Sequence, residues 1–365
     1  MPTRVQVANL QANTIDIVNT IRENASAAYR DTIPVVTTVH DLRAVGDYFM
    51  GYPQFANEFV SALVNRIAAV RVKSATFNNA YAKFKKGYLE TGATVEEVFV
   101  NIAKAREFSA EKAEAREFKR TLPDVRTAFH TVNWRVQYPI TIQNEDLRMA
   151  FTSFNGVEDL IAKIVGAVTV AAEYDEYLLF KYLFIKGVNR GEIKVEEVTA
   201  TDDKDMAVAF RGTSNLLTFI QTKYNKEGVH TSTPRAEQYI IMDASYNAKF
   251  DVNVLASAFN MDKADFMGKL ELIDDFTSFD NERFDEIRAN SGMLEEVTAA
   301  ELTAMANIKA IIIDPEWLQV YDTLGSMSEK YVASGLYWNY FYNSWKIVSE
   351  SPFSNAVAFK YVAAN

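Results

Sequence analysis

Residues 334–359 read SGLYWNYFYNSWKIVSESPFSNAVAF, and the aromatic residues of this stretch decide how the chain must fold. Side chains alternate between the two faces of a β-strand. In an extended conformation the aromatic rings lie on both faces, with Trp338, Tyr340 and Tyr342 on one and Tyr337, Phe341 and Trp345 on the other. Exposing so many aromatic rings to water is unfavourable. Both faces of this predicted strand therefore need a partner that covers them.

The residue types of this strand bear on what covers it. A strand buried on both faces within one chain is usually rich in Val, Ile and Leu. Tyr and Trp interspersed with Asn339, Asn343 and Ser344 instead favour contact with another chain. We therefore expect Trp338 and Tyr340 to be assembly contacts. An aromatic core strand of the chain itself is the alternative.

The composition is typical of a folded chain with a large core. The sequence has 365 residues, 48% of them hydrophobic and 24% charged, and this length suits two domains. A net charge of −10 argues against a protein that grips nucleic acid through a basic surface. The absence of cysteine excludes disulfides and thiolate chemistry. No apolar segment predicts a signal peptide or a membrane span, so we expect a soluble, unexported chain without membrane contacts.

The first part of the chain lacks a long regular pattern. Short amphipathic pieces, such as the one containing Ile15, Val18 and Ile21, precede an irregular stretch over residues 31–53. This organisation predicts an extended N-terminal arm over residues 1–56.

A charge-dense stretch lies between two segments with strand alternation, residues 98–102 and residues 131–142. It contains the tetrapeptide Ala-Arg-Glu-Phe twice, ending at Phe108 and at Phe118. As a helix it would place like charges four residues apart, for example on Lys112 and Arg116. The pattern therefore favours an exposed hairpin tip, and a solvated surface helix is the alternative.

A long helix follows. From residue 157 to residue 185 the apolar residues keep helical steps of three and four, and Lys186 and Gly187 are typical of a helix end. A helix of about 30 residues is ~45 Å long. We therefore expect residues 157–187 to form the spine of their domain.

The pattern changes at residue 188. Short apolar strands at residues 239–242, 270–273 and 308–313 are interspersed with helical spacing, which predicts a compact α/β insertion. Long strand patterns return after residue 324, so the last strand is expected to pair with the domain built before residue 190.

Motifs for catalysis are absent from the sequence. It has no G-x-S-x-G, G-x-x-x-x-G-K-[ST], H-E-x-x-H or G-x-G-x-x-G segment. The three histidines are isolated, and we expect His40, His130 and His230 to have structural roles. No cofactor and no catalytic residue is predicted.

Two acidic clusters and one basic run remain to be explained. The acidic residues, around Asp202 and Asp274, lack the glycine turn and the terminal glutamate of a calcium loop. We expect a solvated acidic surface there, and an acidic metal-dependent α/β enzyme is the less favoured alternative. The basic run holds Lys83, Lys85 and Lys86, which could meet a phosphate or form a salt bridge to an acidic neighbouring chain.

Short segments spread over nearly the whole chain carry a family resemblance through their order and spacing. They are Ile17-Val18-Asn19 with Ile21-Arg22, Lys83-Phe84-Lys85-Lys86-Gly87, Thr94-Val95-Glu96-Glu97, Ala113-Glu114, Phe129-His130, Thr141-Ile142-Gln143, Ala258-Phe259-Asn260-Met261, Gly335-Leu336-Tyr337-Trp338-Asn339-Tyr340 and Asn355-Ala356-Val357-Ala358-Phe359. With these segments the chain resembles the major capsid proteins of small short-tailed phages that infect Gram-positive bacteria, the Salasmaviridae or picovirus-type podophages.

The resemblance implies an α+β fold of the Hong Kong 97 capsid type. Its expected parts are an N-terminal arm (1–56), a peripheral domain (57–90, 134–187 and 325–365), an extended hairpin loop (91–133) and an axial α/β domain (188–324). The hairpin would lie over a neighbouring subunit. The residues expected at assembly interfaces are Arg106, Glu107, Phe108, Glu114, Arg116, Phe118, Lys85, Lys86, Trp338 and Tyr340.

The resemblance also implies a location and partners. The chain would form the pentamers and hexamers of a virion shell that assembles in the host cytoplasm, with a portal protein and weakly contacted double-stranded DNA. Bacillus-infecting relatives carry an additional immunoglobulin-like domain, whereas this sequence ends at Asn365, so decoration by that domain is not expected. A separate scaffolding protein is expected because no long extension precedes the matched Ile17 segment. An encapsulin-like nanocompartment shell is the alternative function.

Overall fold

The structure is a computed structural model of the chain, and it describes residues 14–52, 54–59, 62, 79–90, 92, 94–143, 156–200, 203–248, 269–289 and 291–363. The chain divides into two compact units, each built from separate stretches of sequence. The first unit takes residues 1–78, 136–175 and 324–344, and the second takes residues 79–135, 176–323 and 345–365.

Three short helices open the described part of the first unit: α1 (Thr14–Asn24), α2 (Ala27–Thr32) and α3 (Val39–Gly51). The Ser26 hydroxyl accepts from the first turn of α2, and Thr38 forms a capping box with Asp41 at the start of α3. The predicted extended arm is therefore wrong for residues 14–52. The irregular stretch contains the end of α2 and all of α3, and both helices are too short to show a long periodic pattern.

The remaining described helices and strands follow in chain order. They are β1 (Val95–Val100), α4 (Ala113–Arg116), β2 (Val125–His130), β3 (Val132–Gln143), α5 (Gly156–Asn189), β4 (Lys194–Ala200), α6 (Asp203–Leu217), β5 (Tyr239–Asp243), α7 (Ala244–Asn247), β6 (Leu270–Ile273), α8 (Asn281–Arg288), α9 (Ala299–Ala304), β7 (Ile308–Ile313), β8 (Leu318–Val332), β9 (Tyr337–Glu350) and β10 (Ala356–Ala363). The strands form sheets ordered β1-β2, β4-β10-β7-β5-β6 and β3-β9-β8.

The core of the first unit contains the aromatic residues of β9. Trp338 is 3% exposed and Tyr340 is 1% exposed, and both pack with buried residues of the N-terminal helices such as Val18, Leu42 and Phe49. Placing Trp338 and Tyr340 at an interface with another chain was therefore wrong. The α1–α3 helices, which the sequence pattern did not predict, supply the cover within the chain itself.

The centre of the second unit is the five-stranded sheet. Strand β10 pairs in parallel with β4 and antiparallel with β7, and β5 joins β7 to the edge strand β6. Helix α6 packs on this sheet through Met206 and Phe210. The sequence from 334 to 359 is thus two strands, because the chain turns at residues 351–355. Strand β9 pairs with β3 as expected, whereas β10 pairs with strands of residues 188–324.

The predicted spine is present as α5, which has 34 residues. Its last turns are buried, including Phe180, Leu183 and Phe184. Gly187 lies inside the helix instead of ending it. A Cβ at this position would lie 2.8 Å from the ring of Trp317, so glycine is needed for the close packing of that ring.

Four charged side chains in the second unit form one network. The Nζ atom of Lys346 on β9 lies 2.7 Å from Glu176 of α5 and 2.6 Å from Asp322 of β8. The Nζ atom of Lys85 contacts the same two carboxylates, at 3.0 and 2.6 Å. We call these four residues the charge quartet. It joins the spine helix, two strands and the segment that leads into the β1–β2 hairpin.

The environment of the charge quartet favours its ionised form. Burial raises the pKa of Glu176, but Lys346 and Lys85 outweigh this effect and hold that pKa below its ordinary value. The same balance holds the pKa of Asp322 below its ordinary value. Burial lowers the pKa of Lys346, but the two carboxylates outweigh this effect and hold that pKa above its ordinary value. Each buried charge therefore stays ionised because it is paired.

Among the described helices, none combines the length and the apolar character needed to cross a membrane.

Replacing Lys346 with Met should lower the free energy of unfolding by about 3–5 kcal/mol, because two partly buried carboxylates lose the more buried of their two shared cations. Lys360→Met is the matched control. Lys360 pairs with the exposed Glu197, so its loss should cost less than about 1 kcal/mol. Denaturant unfolding of the unassembled chain measures both, and equal effects would contradict the assigned role of the quartet.

The quartet also fixes a pH dependence. Glu176 and Asp322 have lowered pKa values, so they stabilise the fold above their unfolded pKa values and lose this effect as pH falls through the folded ones. In Lys346→Met the pKa values of both carboxyl groups should rise toward the unfolded ones, so the stability difference between the variant and the wild type should shrink as pH falls through the acid range. Unfolding midpoints measured over an acid series test this, and a difference that stays constant with pH would exclude it.

Replacing Trp338 with Ala should cost roughly 3–5 kcal/mol of unfolding free energy, since it leaves a cavity beside Tyr331, whose ring centroid lies 4.4 Å away. Tyr52→Ala, at a half-exposed ring, should cost less. A wild-type midpoint for Trp338→Ala in the unassembled chain would mean that the ring is not part of the core.

Candidate assembly surface

Strands β1 and β2 form an antiparallel hairpin with an unbroken register, in which Val95 lies opposite His130 and Val100 lies opposite Val125. The predicted hairpin is therefore present, although its second strand ends at His130. The longer strand β3, which follows after one residue, belongs to another sheet. Residues 101–124 form the tip, which has one short helix, α4.

The chain enters the hairpin along strand β8. The amide of Lys86 donates to the carbonyl of Val320 at 2.9 Å, and the amide of Asp322 donates to the carbonyl of Gly87 at 3.0 Å. Gly87 has a φ of 117°, a backbone conformation that residues with a side chain rarely adopt. The backbone and Lys85 of the charge quartet together fix the start of the hairpin.

The inner face of the hairpin is anchored by polar contacts. Glu97 of β1 accepts from the Ser351 hydroxyl at 2.6 Å, and the buried His130 of β2 contacts the Ser349 hydroxyl and lies 3.3 Å from Glu97. On the same face Arg126 donates to the carbonyl oxygen of Glu227 at 2.5 Å.

Two further contacts complete this anchoring. The ring of Phe99 stacks on Phe353 with a centroid distance of 5.6 Å. Near the tip, His230 contacts the Asn101 side chain at 2.8 Å. We call the segments that receive these contacts, residues 226–230 and 349–353, the hairpin mount. The structural roles predicted for His130 and His230 agree with these positions.

The outer face of the hairpin has no cover within the described part of the chain. Alternation places apolar side chains of both strands on this face, and they are exposed: Val98, Val100, Val125 and Phe129. A two-stranded sheet normally needs packing on one face for its stability, and here the mount provides it. The outer face is therefore an unpartnered apolar surface.

The tip carries the most exposed large apolar residues of the hairpin. Phe108 is 95% exposed, Phe118 is 90% exposed and Leu122 is 83% exposed. Exposed apolar patches of this kind mark interaction surfaces. The two phenylalanines are those of the repeated Ala-Arg-Glu-Phe, whereas Leu122 was missed because it stands alone in a polar stretch.

Local polar contacts shape the tip around these rings. Arg116 donates to the carbonyl oxygen of Glu107 at 2.9 Å, Lys112 lies 3.3 Å from the Glu107 carboxylate, and Arg106 contacts Thr121. Hydrogen bonds from Asn101 and Arg126 lower the pKa of Asp124. Glu114 lies in α4 and is exposed.

A second exposed apolar surface lies on the outward side of α6 and just beyond it. It consists of Val208, Leu216, Phe219 and Ile220. Met206 and Phe210 of the same helix face the sheet, so these outward residues have no role in the core. Helical periodicity was visible in this segment, but the sequence did not reveal which face would be covered.

The remaining predicted interface residues are used within the chain. Lys85 belongs to the charge quartet, and Lys86 lies 2.6 Å from Glu316. Both lysines therefore have acidic partners within the chain, and an interchain salt bridge or a phosphate contact at them stays a prediction. Glu316 is 230 positions from Lys86 in sequence. Glu176 is 91 positions from Lys85 and Asp322 is further still, so no local pattern could indicate these partners.

The acidic cluster around Asp274 does not form a metal site. Asp274 accepts from Lys181 at 2.7 Å and from the Tyr177 hydroxyl, and Asp275 accepts from the backbone of Thr277 at 2.7 Å. Within the described residues, no group of acidic or histidine side chains could hold a metal ion. Asp202, of the other predicted cluster, lies outside the described residues.

Two solved structures with a similar fold come from phages. One chain of the capsid structure of Staphylococcus phage Andhra is 14% identical and covers 78% of this chain and 85% of its own length, with a TM-score of 0.60. A chain of the structure of the head fiber and inner core protein gp22 of native bacteriophage P68 has a TM-score of 0.57 at the same identity and coverage. The mixed helix and sheet architecture is therefore a Hong Kong 97-like phage capsid fold.

Sequence comparison gives closer relatives. The major capsid protein of Bacillus phage B103 is 36% identical over 94% of this chain and 72% of its own length. The major capsid protein of Streptococcus phage Cp-1 is 28% identical over 96% of this chain and 95% of its own length. Residues 18–360 match the Phi29-like phage major capsid protein family. The chain belongs to this family, whose members are structural shell components of the virion and not enzymes.

Proposed function

We propose that copies of this chain form the shell of a phage head and that the β1–β2 hairpin of each copy lies over a neighbouring copy. The observation that carries this proposal is the exposed apolar surface of the hairpin, which runs from Val98 and Phe129 to Phe108 and Phe118 at the tip. Family membership supports a second copy of the chain as the partner.

The energetics suit assembly by many modest contacts. Burying one Phe side chain contributes about 1.5–3 kcal/mol, and each 1.4 kcal/mol is about tenfold in an equilibrium constant. Two tip phenylalanines per subunit, repeated around a closed shell, would then stabilise assembly strongly. Anchoring the hairpin on its mount before assembly limits the conformational entropy that is lost when the contact forms.

The domain roles follow from the same proposal. The α5 spine would belong to a peripheral domain and the five-stranded sheet with α6 to an axial domain, with residues 1–56 as an N-terminal region that is helical where described. The exposed surface of Val208, Leu216, Phe219 and Ile220 would then face other copies within pentamers and hexamers.

The other proposed partners are a separate scaffolding protein, a portal protein and double-stranded DNA. The net charge of −10 supports only weak contact with DNA, because a negative wall repels phosphates and leaves the genome free to move. The relatives named above are phage proteins, which favours a DNA-filled head over a nanocompartment.

Replacing Phe108 and Phe118 together with Ser should raise the protein concentration needed for shell formation by roughly tenfold or more, because two apolar contacts are lost per subunit. Light scattering and electron microscopy of assembly reactions measure this. Glu111→Gln, an exposed change on the same tip, is the matched control and should assemble normally. Normal assembly of the double variant would contradict the proposed contact.

Deleting residues 106–119 should leave a chain that folds but does not form shells, because the tip makes no contribution to either core. The thermal midpoint of the unassembled chain should stay near the wild-type value. Shells of normal size from this deletion would show that the hairpin tip is not an assembly contact.

A further inference from the structure

Two carboxyl groups, of Glu192 and Glu350, meet in the second unit. Glu192 follows α5 and is 6% exposed, and Glu350 ends β9 with a side chain that is 15% exposed. A side-chain hydrogen bond between the two groups is among the causes that shift the pKa of each. Two carboxylates cannot hydrogen-bond to each other, because neither has a proton to donate.

The hydrogen bonding of Glu192 points to a missing donor. Its Oε1 contacts Lys226, whereas its buried Oε2 has no donor among the residues that the structure describes. A buried oxygen without a donor is costly. A proton on Glu350 would supply the donor, and the contact between the two carboxyl groups would then be satisfied.

The surrounding charges do not fully compensate two carboxylates. Lys226 contacts Glu192, and Arg190 lies 3.5 Å from Glu350. Arg190 is closer to Glu295, at 2.9 Å. The other titratable groups facing the pair or its partners are Tyr182, which interacts with Arg190 and Glu350, and Lys186, which lies 3.6 Å from Glu295.

The pKa values agree with this geometry. Burial and the neighbouring Glu192 raise the pKa of Glu350 to about 8. Burial also raises the pKa of Glu192, but hydrogen bonds from Glu350 and Lys226 outweigh it and hold that pKa below its ordinary value. The pKa values of two neighbouring carboxyl groups move apart in this way when one of the groups keeps a proton.

Both carboxyl groups are next to the hairpin mount. Glu350 stands between Ser349 and Ser351, whose hydroxyls contact His130 and Glu97 of the hairpin. On the other side, Lys226 holds Glu192 and the next residue, Glu227, holds Arg126 of the hairpin.

The two segments of the mount are also joined directly, because the amide of Glu227 donates to the carbonyl of Pro352 at 3.2 Å. Repulsion between Glu192 and Glu350 would therefore act on both segments. The titratable hairpin residues on this side are Glu97 and His130.

We propose that Glu192 and Glu350 share one proton around neutral pH and that this proton holds the hairpin mount together. Loss of the proton to solvent leaves two adjacent carboxylates, whose repulsion loosens the mount and the base of the hairpin. The consequence for shell assembly rests on the proposed function, whereas the shared proton is a property of the single chain.

The sign of the pH effect follows from the raised pKa. The folded chain binds a proton that the unfolded chain releases near pH 4.5, so this pair makes stability fall as pH rises from about 4.5 to about 8. Glu350→Gln keeps a donor to Glu192 and cannot titrate. We therefore expect the variant to lose this part of the pH dependence and to exceed the wild type in thermal midpoint on the alkaline side.

The test uses the purified, unassembled full chain, so failure of the assembly proposal does not affect it. Thermal midpoints of the wild type and Glu350→Gln are measured from about pH 5 to about pH 9. Infrared spectroscopy should detect the carbonyl stretch of a protonated carboxyl at neutral pH in the wild type and lose it in Glu350→Gln. Hydrogen exchange of the β1 and β2 amides, corrected for intrinsic rates, should accelerate severalfold with rising pH only in the wild type.

Two variants complete the test. Glu192→Gln should also flatten the pH profile, and combining it with Glu350→Gln should flatten it no further, since both changes remove one shared proton. Glu286→Gln, at an exposed position on α8, should retain the wild-type profile. Parallel profiles for the wild type and Glu350→Gln, or no protonated carboxyl at neutral pH, would overturn the shared proton. Unchanged exchange at the hairpin would overturn its link to the mount.

Discussion

The second unit depends on one constraint, which is that the buried charges of Glu176 and Lys346 must be paired. Glu176 is on the spine helix, Lys346 is on β9, and Asp322 and Lys85 complete the quartet from β8 and the segment before the hairpin. An unpaired charge at such a depth would be strongly destabilising, so the elements can pack only in the arrangement that brings these four groups together. The quartet therefore sets the position of the strands that carry the hairpin.

The position of the hairpin follows from this arrangement. Lys85 fixes the chain just before the hairpin, and the backbone of residues 86–89 pairs with β8. The end of β9 and the turn after it supply Ser349, Ser351 and Phe353 to the mount. The inner face of the hairpin is thus satisfied within its own chain. The outer face and the tip phenylalanines stay exposed, as the proposed contact with a neighbouring copy requires.

The sequence was sufficient to predict the elements whose patterns are long and regular. The spine helix has apolar steps over many turns, and the hairpin tip was favoured because Lys112 and Arg116 would repel each other in a continuous helix. Only one helical turn forms there, at Ala113–Arg116. The short helices α1–α3 were missed because tertiary packing and local caps, such as that of Thr38 and Asp41, stabilise them more than periodicity does.

The partners of individual side chains could not be predicted, since they depend on contacts between distant parts of the chain. Trp338 and Tyr340 have the residue types of an interface, yet the unpredicted N-terminal helices bury them. In the sequence Lys85 has the features of a surface charge, whereas in the structure it forms ion pairs with Glu176 and Asp322. In contrast, Phe108 and Phe118 were predicted as contact residues because they end the two Ala-Arg-Glu-Phe segments of the predicted hairpin tip, and they are exposed in the structure.

The central claim is that the outer face of the hairpin is covered by a neighbouring copy of the chain in the shell. A cryo-electron microscopy map of assembled shells, at a resolution that shows side chains, tests it most directly. The account predicts that Phe108, Phe118 and Phe129 contact an adjacent subunit, while the inner face keeps its contacts with Ser349 and Ser351. Hairpins that project into solvent, with these phenylalanines free of any neighbour, would contradict it.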